Sequence, residues 1–305
     1  MTGKMHADEV VIDEALVRRR LKAQFPQWAE LPLTPVLPWG TDNAIYRLGT
    51  DMLVRMPRVE WSALQVEKEQ TWLPRLSPFL PLEIPRPLGC GSASEDFPWA
   101  WSVYSWIEGA ALDPGGDANL VRVAEDLGRF VAALHAIDAA GGPAAGRHNF
   151  GRGMPLATRD RPTREALDIL ADVLDLRAAL ALWEDALAAP VWSGAPVWVH
   201  GDVQAANLLM RDGRLCAVID YGGLGVGDPA CDLIVAWSLF PPAARERYRE
   251  LLDVDQATWR RGRGWALSVA AIALPYYRDT NPRLVDTAER SLRALLSEPL
   301  PAGQM

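Results

Sequence analysis

Cysteine and histidine are scarce in this sequence, with three and four residues in a chain of 305. Cys90, Cys216 and Cys231 are odd in number and far apart, which argues against a disulfide framework and against a zinc site built on closely spaced thiolates. With the histidines scattered as well, any metal would have to be held by oxygen. No uninterrupted apolar run is long enough to span a bilayer, and residues 1–10 lack the apolar core of a signal peptide. The chain is therefore expected to be cytoplasmic and to have no membrane partner. Basic charge is also in short supply: the formal net charge is −8, whereas a nucleic-acid surface needs a basic excess or a dense basic patch. The runs RRR at residues 18–20 and WRRGRGW at residues 259–265 fall in helical patterns and read as solvated faces. Nucleic acid is not an expected partner, and a monomer or weak dimer is.

What is present describes an ordinary globular chain, 49% hydrophobic and 23% charged, long enough for one large or two modest domains. The stretch DEVVIDEALVRRRLKAQF places Val11, Ile12, Ala15, Leu16 and Leu21 on one helical face, ended by Pro26. NAIYRLGTDMLVRMP then reads as a hairpin around LGTD, ALQVEKEQTWLPRL as a helix, and LEIPRPLGCG and WAWSVYSWI as extended pieces. These suggest a small sheet-based lobe ending near Ile107. Helical periods take over afterwards. In residues 118–138 the apolar positions Leu120, Val123, Leu127, Phe130, Leu134 and Ile137 step by three and four. TREALDILADVLDLRAALALWEDAL and QATWRRGRGWALSVAAIAL are helical too, and Asp212-Gly213 marks a tight hairpin turn.

Before that turn stands VWVHGDVQAANLL, an apolar strand that runs out into His200, Asp202 and Asn207. Asp202 and Asn207 have the spacing of a kinase catalytic loop, H-R-D-x-x-x-x-N, with Gly201 where that loop has arginine. Asp220 ends the run CAVID thirteen residues past Asn207, and a hairpin returns its strand ends to each other. Phosphoryl transfer needs oxygen ligands for Mg²⁺ on the phosphates and a carboxylate to orient the acceptor hydroxyl and take its proton.

HGDVQAANLL together with VIDYGGLGVGDPACDL resembles the aminoglycoside phosphotransferase family, and the similarity runs from WGTDNAIYRLG to the C-terminal helices. It implies an α/β (α+β) protein of the two-lobed protein-kinase-like fold. A small β-rich nucleotide-binding lobe would span residues 1–107, and a larger, mostly helical catalytic and acceptor lobe residues 108–305. It also implies Asp202 as catalytic base, Asn207 and Asp220 as Mg²⁺ ligands, and ATP or GTP as donor. His200 is expected to tie the loop to the core. The loop PWGTDNAIYRLG is similar to the family's nucleotide loop, with Thr41 or Asn43 near the phosphates; a plain hairpin turn competes, since Gly40 is the loop's one phosphate-turn glycine. Arg55 stands where a kinase has its phosphate-pairing lysine, and its expected ion-pair partner is Glu69 rather than Glu67, from the E-x-x-x-L spacing to Leu73. In YSWIEG the Ser105 carbonyl and Ile107 amide would read the purine edge. Tyr104 would either narrow adenine access or serve as core. Asp228 and Asp232 read as a helix cap and a dipole partner. Seven residues between Asp220 and Asp228 leave no room for a phosphorylatable activation segment, so the enzyme is expected to be constitutively competent.

The expected acceptor is a hydroxyl of an aminoglycoside-type antibiotic. Residues 241–305 carry ten arginines against eight carboxylates, which is not the acidic surface a polycation wants. Trp259, Trp265, Tyr276 and Tyr277 would suit a flatter acceptor such as a macrolide, if they are not simply core. A metabolite such as choline or homoserine is the other alternative, and a catalytically silent nucleotide-binding protein the rival outside the kinases. The polar, irregular segment HNFGRGMPLATRDRPT, residues 148–163, reads as an acceptor-side loop.

Overall fold

The opening helix α1 is Glu14–Gln24 in the computed structural model, which describes residues 10–37 and 42–298, and it starts later than the apolar period predicts. Asp13 caps it, its carboxylate accepting from the Leu16 amide at 2.8 Å, and the β-branched run before the cap stays outside the helix. Val11 is 76% exposed and Ala15 is exposed, so the buried face is Leu16, Val17 and Leu21, with Ile12 buried ahead of it.

Internal packing divides the chain into two units, Met1–Gly109 with Ala217–Gly222, and Ala110–Cys216 with Gly223–Met305. In the first, strands β1 (Leu33–Pro35), β2 (Asn43–Leu48) and β3 (Met52–Pro57) precede helix α2 (Glu60–Leu76), followed by β4 (Pro87–Gly91) and β5 (Trp101–Ser105). They form an antiparallel sheet of order β1-β2-β3-β5-β4. The β2–β3 hairpin turns at Gly49, whose φ of 62° suits glycine. Side chains alternate across the sheet. Tyr46, Leu48, Val54, Met56, Trp101 and Val103 pack with the buried residues of α1 in one apolar cluster. Arg55, Ser102 and Tyr104 instead meet α2, where Gln70 donates to Ser102 Oγ at 3.0 Å.

The second unit begins with β6 (Ala110–Ala111) and α3 (Leu120–Ala136). The apolar stripe of α3 is buried at Val123, Leu127, Phe130 and Leu134, with Leu120 and Ile137 partly exposed at its ends. The long helical pattern that follows is two helices, α4 (Asp160–Ile169) and α5 (Leu176–Leu187). Asp175 starts the second by accepting from the Ala178 amide at 3.0 Å, a local cap that overrides the continuous period. Next come β7 (Val197–Val199), β8 (Leu208–Arg211), β9 (Arg214–Val218), whose last two residues count with the first unit, and β10 (Gly225–Gly227). β10 pairs with β7, and β6, β8 and β9 form a three-stranded sheet. Asp212 and Gly213 both have positive φ, 52° and 72°, as a two-residue hairpin turn requires.

Helices α6 (Val235–Ser238), α7 (Pro242–Leu252), α8 (Gln256–Tyr277) and α9 (Pro282–Ser297) complete the unit. Here the reading of WRRGRGW as a solvated face is corrected, because Arg261 and Arg263 are buried. Arg261 forks onto the Asp228 carboxylate at 2.7 and 3.1 Å, and Gly262 and Gly264 allow Leu233, Leu156 and Ala186 to press against α8. Pairing, rather than solvent, satisfies this guanidinium. Among the described residues no helix is long and apolar enough to cross a membrane.

Candidate active site

In the second unit the apolar strand β7 delivers the chain into the loop at His200. Gly201 has φ +77°, and a Cβ there would sit 2.5 Å from the Gly223 carbonyl oxygen, so no arginine fits where kinases carry one. Asp232, fully buried, accepts from the His200 and Gly201 amides at 3.1 and 2.7 Å, and His135 Nε2 lies 3.0 Å from its carboxylate. Asp232 thus does more than oppose a helix dipole: it clamps the loop. His200 is buried, and its Nδ1 accepts from the Asp202 amide at 3.2 Å, which fixes the tautomer with the proton on Nε2. The short helical turn Ala205–Asn207 returns Asn207 to Asp202. Asn207 Nδ2 donates to the Asp202 carbonyl at 2.9 Å and to its Oδ2 at 3.1 Å, while Gln204 Nε2 donates to the same Oδ2 at 2.9 Å. Its donor end spent on Asp202, Asn207 keeps an acceptor oxygen, the end of a carboxamide with affinity for a hard cation. Sequence reasoning missed Gln204.

The first unit gathers a second set. Arg55 Nη1 donates to both oxygens of Glu69 at 2.8 Å, and Nη2 to Asp220 Oδ1 at 3.0 Å. Glu69 is 1% exposed, while Glu67 points to solvent. With its amide oxygen turned toward Arg55, Asn43 accepts from Nε and Nη2 at 3.2 and 3.0 Å. The Tyr104 hydroxyl donates to Glu69, so Tyr104 is a buried member of this network. Burial pulls the Arg55 guanidinium down, but the carboxylates of Glu69 and Asp220 outweigh it and the net shift is upward. Burial and then Glu69 push the Tyr104 phenol well above its ordinary value. Asp220 holds a positive φ of 64°, a strained backbone for an aspartate, and its side chain keeps 46% of its surface exposed.

Lys68, next to Glu69, was not anticipated. It is buried, donates to the Gly222 carbonyl at 2.8 Å, and is pulled down to about 8 by burial, with Arg55 adding repulsion and Glu69 and Asp220 opposing. The sequence signal was no more than its place beside the chosen glutamate. Ser105 ends β5, with its amide donating to the Arg86 carbonyl at 2.9 Å, and Ile107 is buried two residues on. Neither joins the Arg55 cluster. Thr41 and Gly40 lie outside the described residues. Among the described residues no cluster of three or more histidine, cysteine or acidic side chains could cage a metal. Each unit offers an oxygen donor of the type a hard cation takes, the Asn207 carboxamide in the second and the part-exposed Asp220 carboxylate in the first.

A β-rich unit with a helix-anchored Arg–Glu pair, and a helical unit with a H-G-D-x-x-x-x-N loop, define a kinase-like phosphotransferase. Residues 34–265 match the profile of the phosphotransferase enzyme family APH, and the chain belongs to that family. It is an enzyme of the small-molecule kinase class that transfers phosphate to a hydroxyl. Solved structures share the fold. The GDP and kanamycin complex of APH(2")-IIia superimposes with a TM-score of 0.72 at 18% identity, covering 92% of this chain and 97% of that one. ADP-bound aminoglycoside phosphotransferase APH(2'')-Ib gives 0.61 at 17% identity, covering 93% and 98%. Macrolide 2'-phosphotransferase type I gives 0.62 at 20% identity, covering 93% and 98%. No curated protein matches the chain in sequence.

Proposed function

We propose that the chain transfers the γ-phosphate of ATP or GTP to a hydroxyl of a small acceptor, with Asp202 orienting that hydroxyl and taking its proton. The observation that carries this is the fixing of the Asp202 carboxylate, whose Oδ2 is held by Asn207 and Gln204 on a loop clamped by Asp232. A general base works only when presented in one orientation, and a protein that merely bound nucleotide would have no use for it. Asn207 and Asp220 are proposed to hold Mg²⁺, which when bound neutralises charge on the phosphate oxygens. Arg55, kept charged by Glu69 and Asp220, is proposed to face the phosphates, with Asn43 acting through it and Thr41 from the nucleotide loop. The Ser105 carbonyl and Ile107 amide are proposed to read the purine. The first unit thus handles the nucleotide, and the second carries catalysis and the acceptor.

For the acceptor, an aminoglycoside-type antibiotic is the reading that family and fold likeness support first. The macrolide enzyme of the same fold supports the alternative. The test is a Mg²⁺-dependent transfer assay with ATP and GTP in parallel, against aminoglycosides, macrolides and small metabolic alcohols. Asp202→Ala is expected to lower turnover by about 100-fold or more while leaving nucleotide binding intact. An unchanged rate would remove Asp202 from its role.

A further inference from the structure

The segment expected to be an irregular loop, residues 148–163, enters α4 at Asp160, and the part ahead of that helix supplies two arginines that the proposed chemistry does not use. Arg152 and Arg159 lie over one ring, Trp265 of α8, with guanidinium carbons 5.5 and 5.1 Å from its centroid. Arg159 Nε donates to Ser268 Oγ at 2.7 Å, and Thr163 shares that hydroxyl at 2.7 Å. Among the described residues neither arginine has a carboxylate partner. Arg152 Nε and Nη1 and Trp265 Nε1 are buried with no hydrogen-bond partner among the described residues. The neighbouring Cys231 thiol supplies no counter-charge, because burial and then Asp232 push it well above its ordinary value. Burial, then repulsion from Arg152, pulls Arg159 down to about 10.

A partly buried cation without a counter-ion and a buried donor without an acceptor are each unfavourable, and stacking on an aromatic face offsets only part of this. Two like charges and three orphaned N–H groups in one cluster call for an anion. Both arginines keep part of their surface in solvent. The cluster also adjoins the reacting centre: a Cβ at Gly201 would sit 2.8 and 3.0 Å from Arg152 Cβ and Cγ, so the Arg152 stem packs on the residue before Asp202.

We infer that Arg152, Arg159 and Trp265 form an anion subsite beside the Asp202 loop, and that the acceptor is a hydroxylated small molecule bearing a carboxylate or phosphate group. The acceptor half of this rests on the kinase reading; the subsite does not. A polycationic acceptor would be repelled here, so if the inference holds, the aminoglycoside reading gives way while the kinase reading stays.

The experiment is calorimetric titration of the full chain with sodium sulfate, at saturating Mg²⁺ and a non-hydrolysable ATP analogue so that the nucleotide-phosphate site is filled, with sodium chloride as ionic-strength control. Wild type is expected to bind sulfate, Arg152→Gln with Arg159→Gln to weaken it by about tenfold or more, and the two Arg→Lys variants, which keep the charge, to retain most of it. In turnover, small hydroxy acids should be preferred over matched neutral alcohols through KM, and the double glutamine variant should lose that preference. No sulfate binding by wild type, or equal binding by the double variant, overturns the subsite. Sulfate binding without a hydroxy-acid preference overturns the acceptor half. The heat of the ATP analogue reports separately: sulfate binding that depends on both arginines, without analogue binding, leaves the subsite standing and removes the kinase reading.

Discussion

Lys68 shows what a single residue can reveal about the site. Its ammonium is held at about 8 in the folded protein, against an ordinary 10.5, chiefly by burial. A cation whose folded value is depressed binds fewer protons folded than unfolded between those two pH values, so stability must rise with pH there. The penalty is fully present below about 8 and relieved by about 10.5, a change on the order of 3 kcal/mol. Lys68→Met should flatten that rise, measured as the wild-type-minus-variant difference in unfolding free energy from pH 7 to 10. The difference matters because Tyr104 and Cys231, both pushed up by burial, bias the profile the opposite way at high pH. An unchanged difference across the window would mean that Lys68 is not desolvated. At this scale the sequence was legible where chemistry depends on spacing, as for Asp202 and Asn207. The same holds for Glu69, picked out from Glu67 by its spacing to Leu73 and found paired with Arg55. It was not legible where burial decides: nothing in the sequence marks Lys68, beside Glu69, as the lysine that loses its water.

Among the elements, the loop at residues 200–207 and helix α8 carry the sharpest consequences. Gly201→Ala places a Cβ against the Gly223 carbonyl in a backbone region that alanine avoids, so the loop must shift. Because the amide of Gly201 is also one of the two that Asp232 holds, turnover is expected to fall by about 100-fold with nucleotide binding retained. Arg261→Ala leaves the Asp228 carboxylate, 5% exposed, without its forked partner. That should cost about 3–5 kcal/mol, read in chemical denaturation. The basic run around Arg261 misled sequence reasoning for a physical reason: an arginine pattern has the same period whether it faces water or a buried carboxylate far away in sequence. The break between α4 and α5 was hidden similarly, since Asp175 acts as a cap only where the chain lets its carboxylate reach the Ala178 amide.

At the scale of the whole molecule, Asn207 belongs to the second unit and Asp220, thirteen residues later, to the first. Mg²⁺–nucleotide at a hundredfold excess over its Kd is expected to add about 2.7 kcal/mol of stability over the ligand-free protein, and, if Asn207 and Asp220 act as proposed, to raise Tm more than the same nucleotide with EDTA. Equal shifts with and without Mg²⁺ would take the metal away from these two residues.

The sequence by itself determined the two hairpins, at LGTD and at Asp212-Gly213, the amphipathic stripe of α3 and the family, because short-range periodicity and fixed motif spacing are properties of the local chain. Tertiary structure alone decided which charges lose water. It buried Lys68 and Arg261, made Asp232 the clamp of the loop, and left Arg152 and Arg159 on Trp265 without a counter-ion among the described residues. Desolvation depends on neighbours brought together by folding, and no spacing along the chain records it.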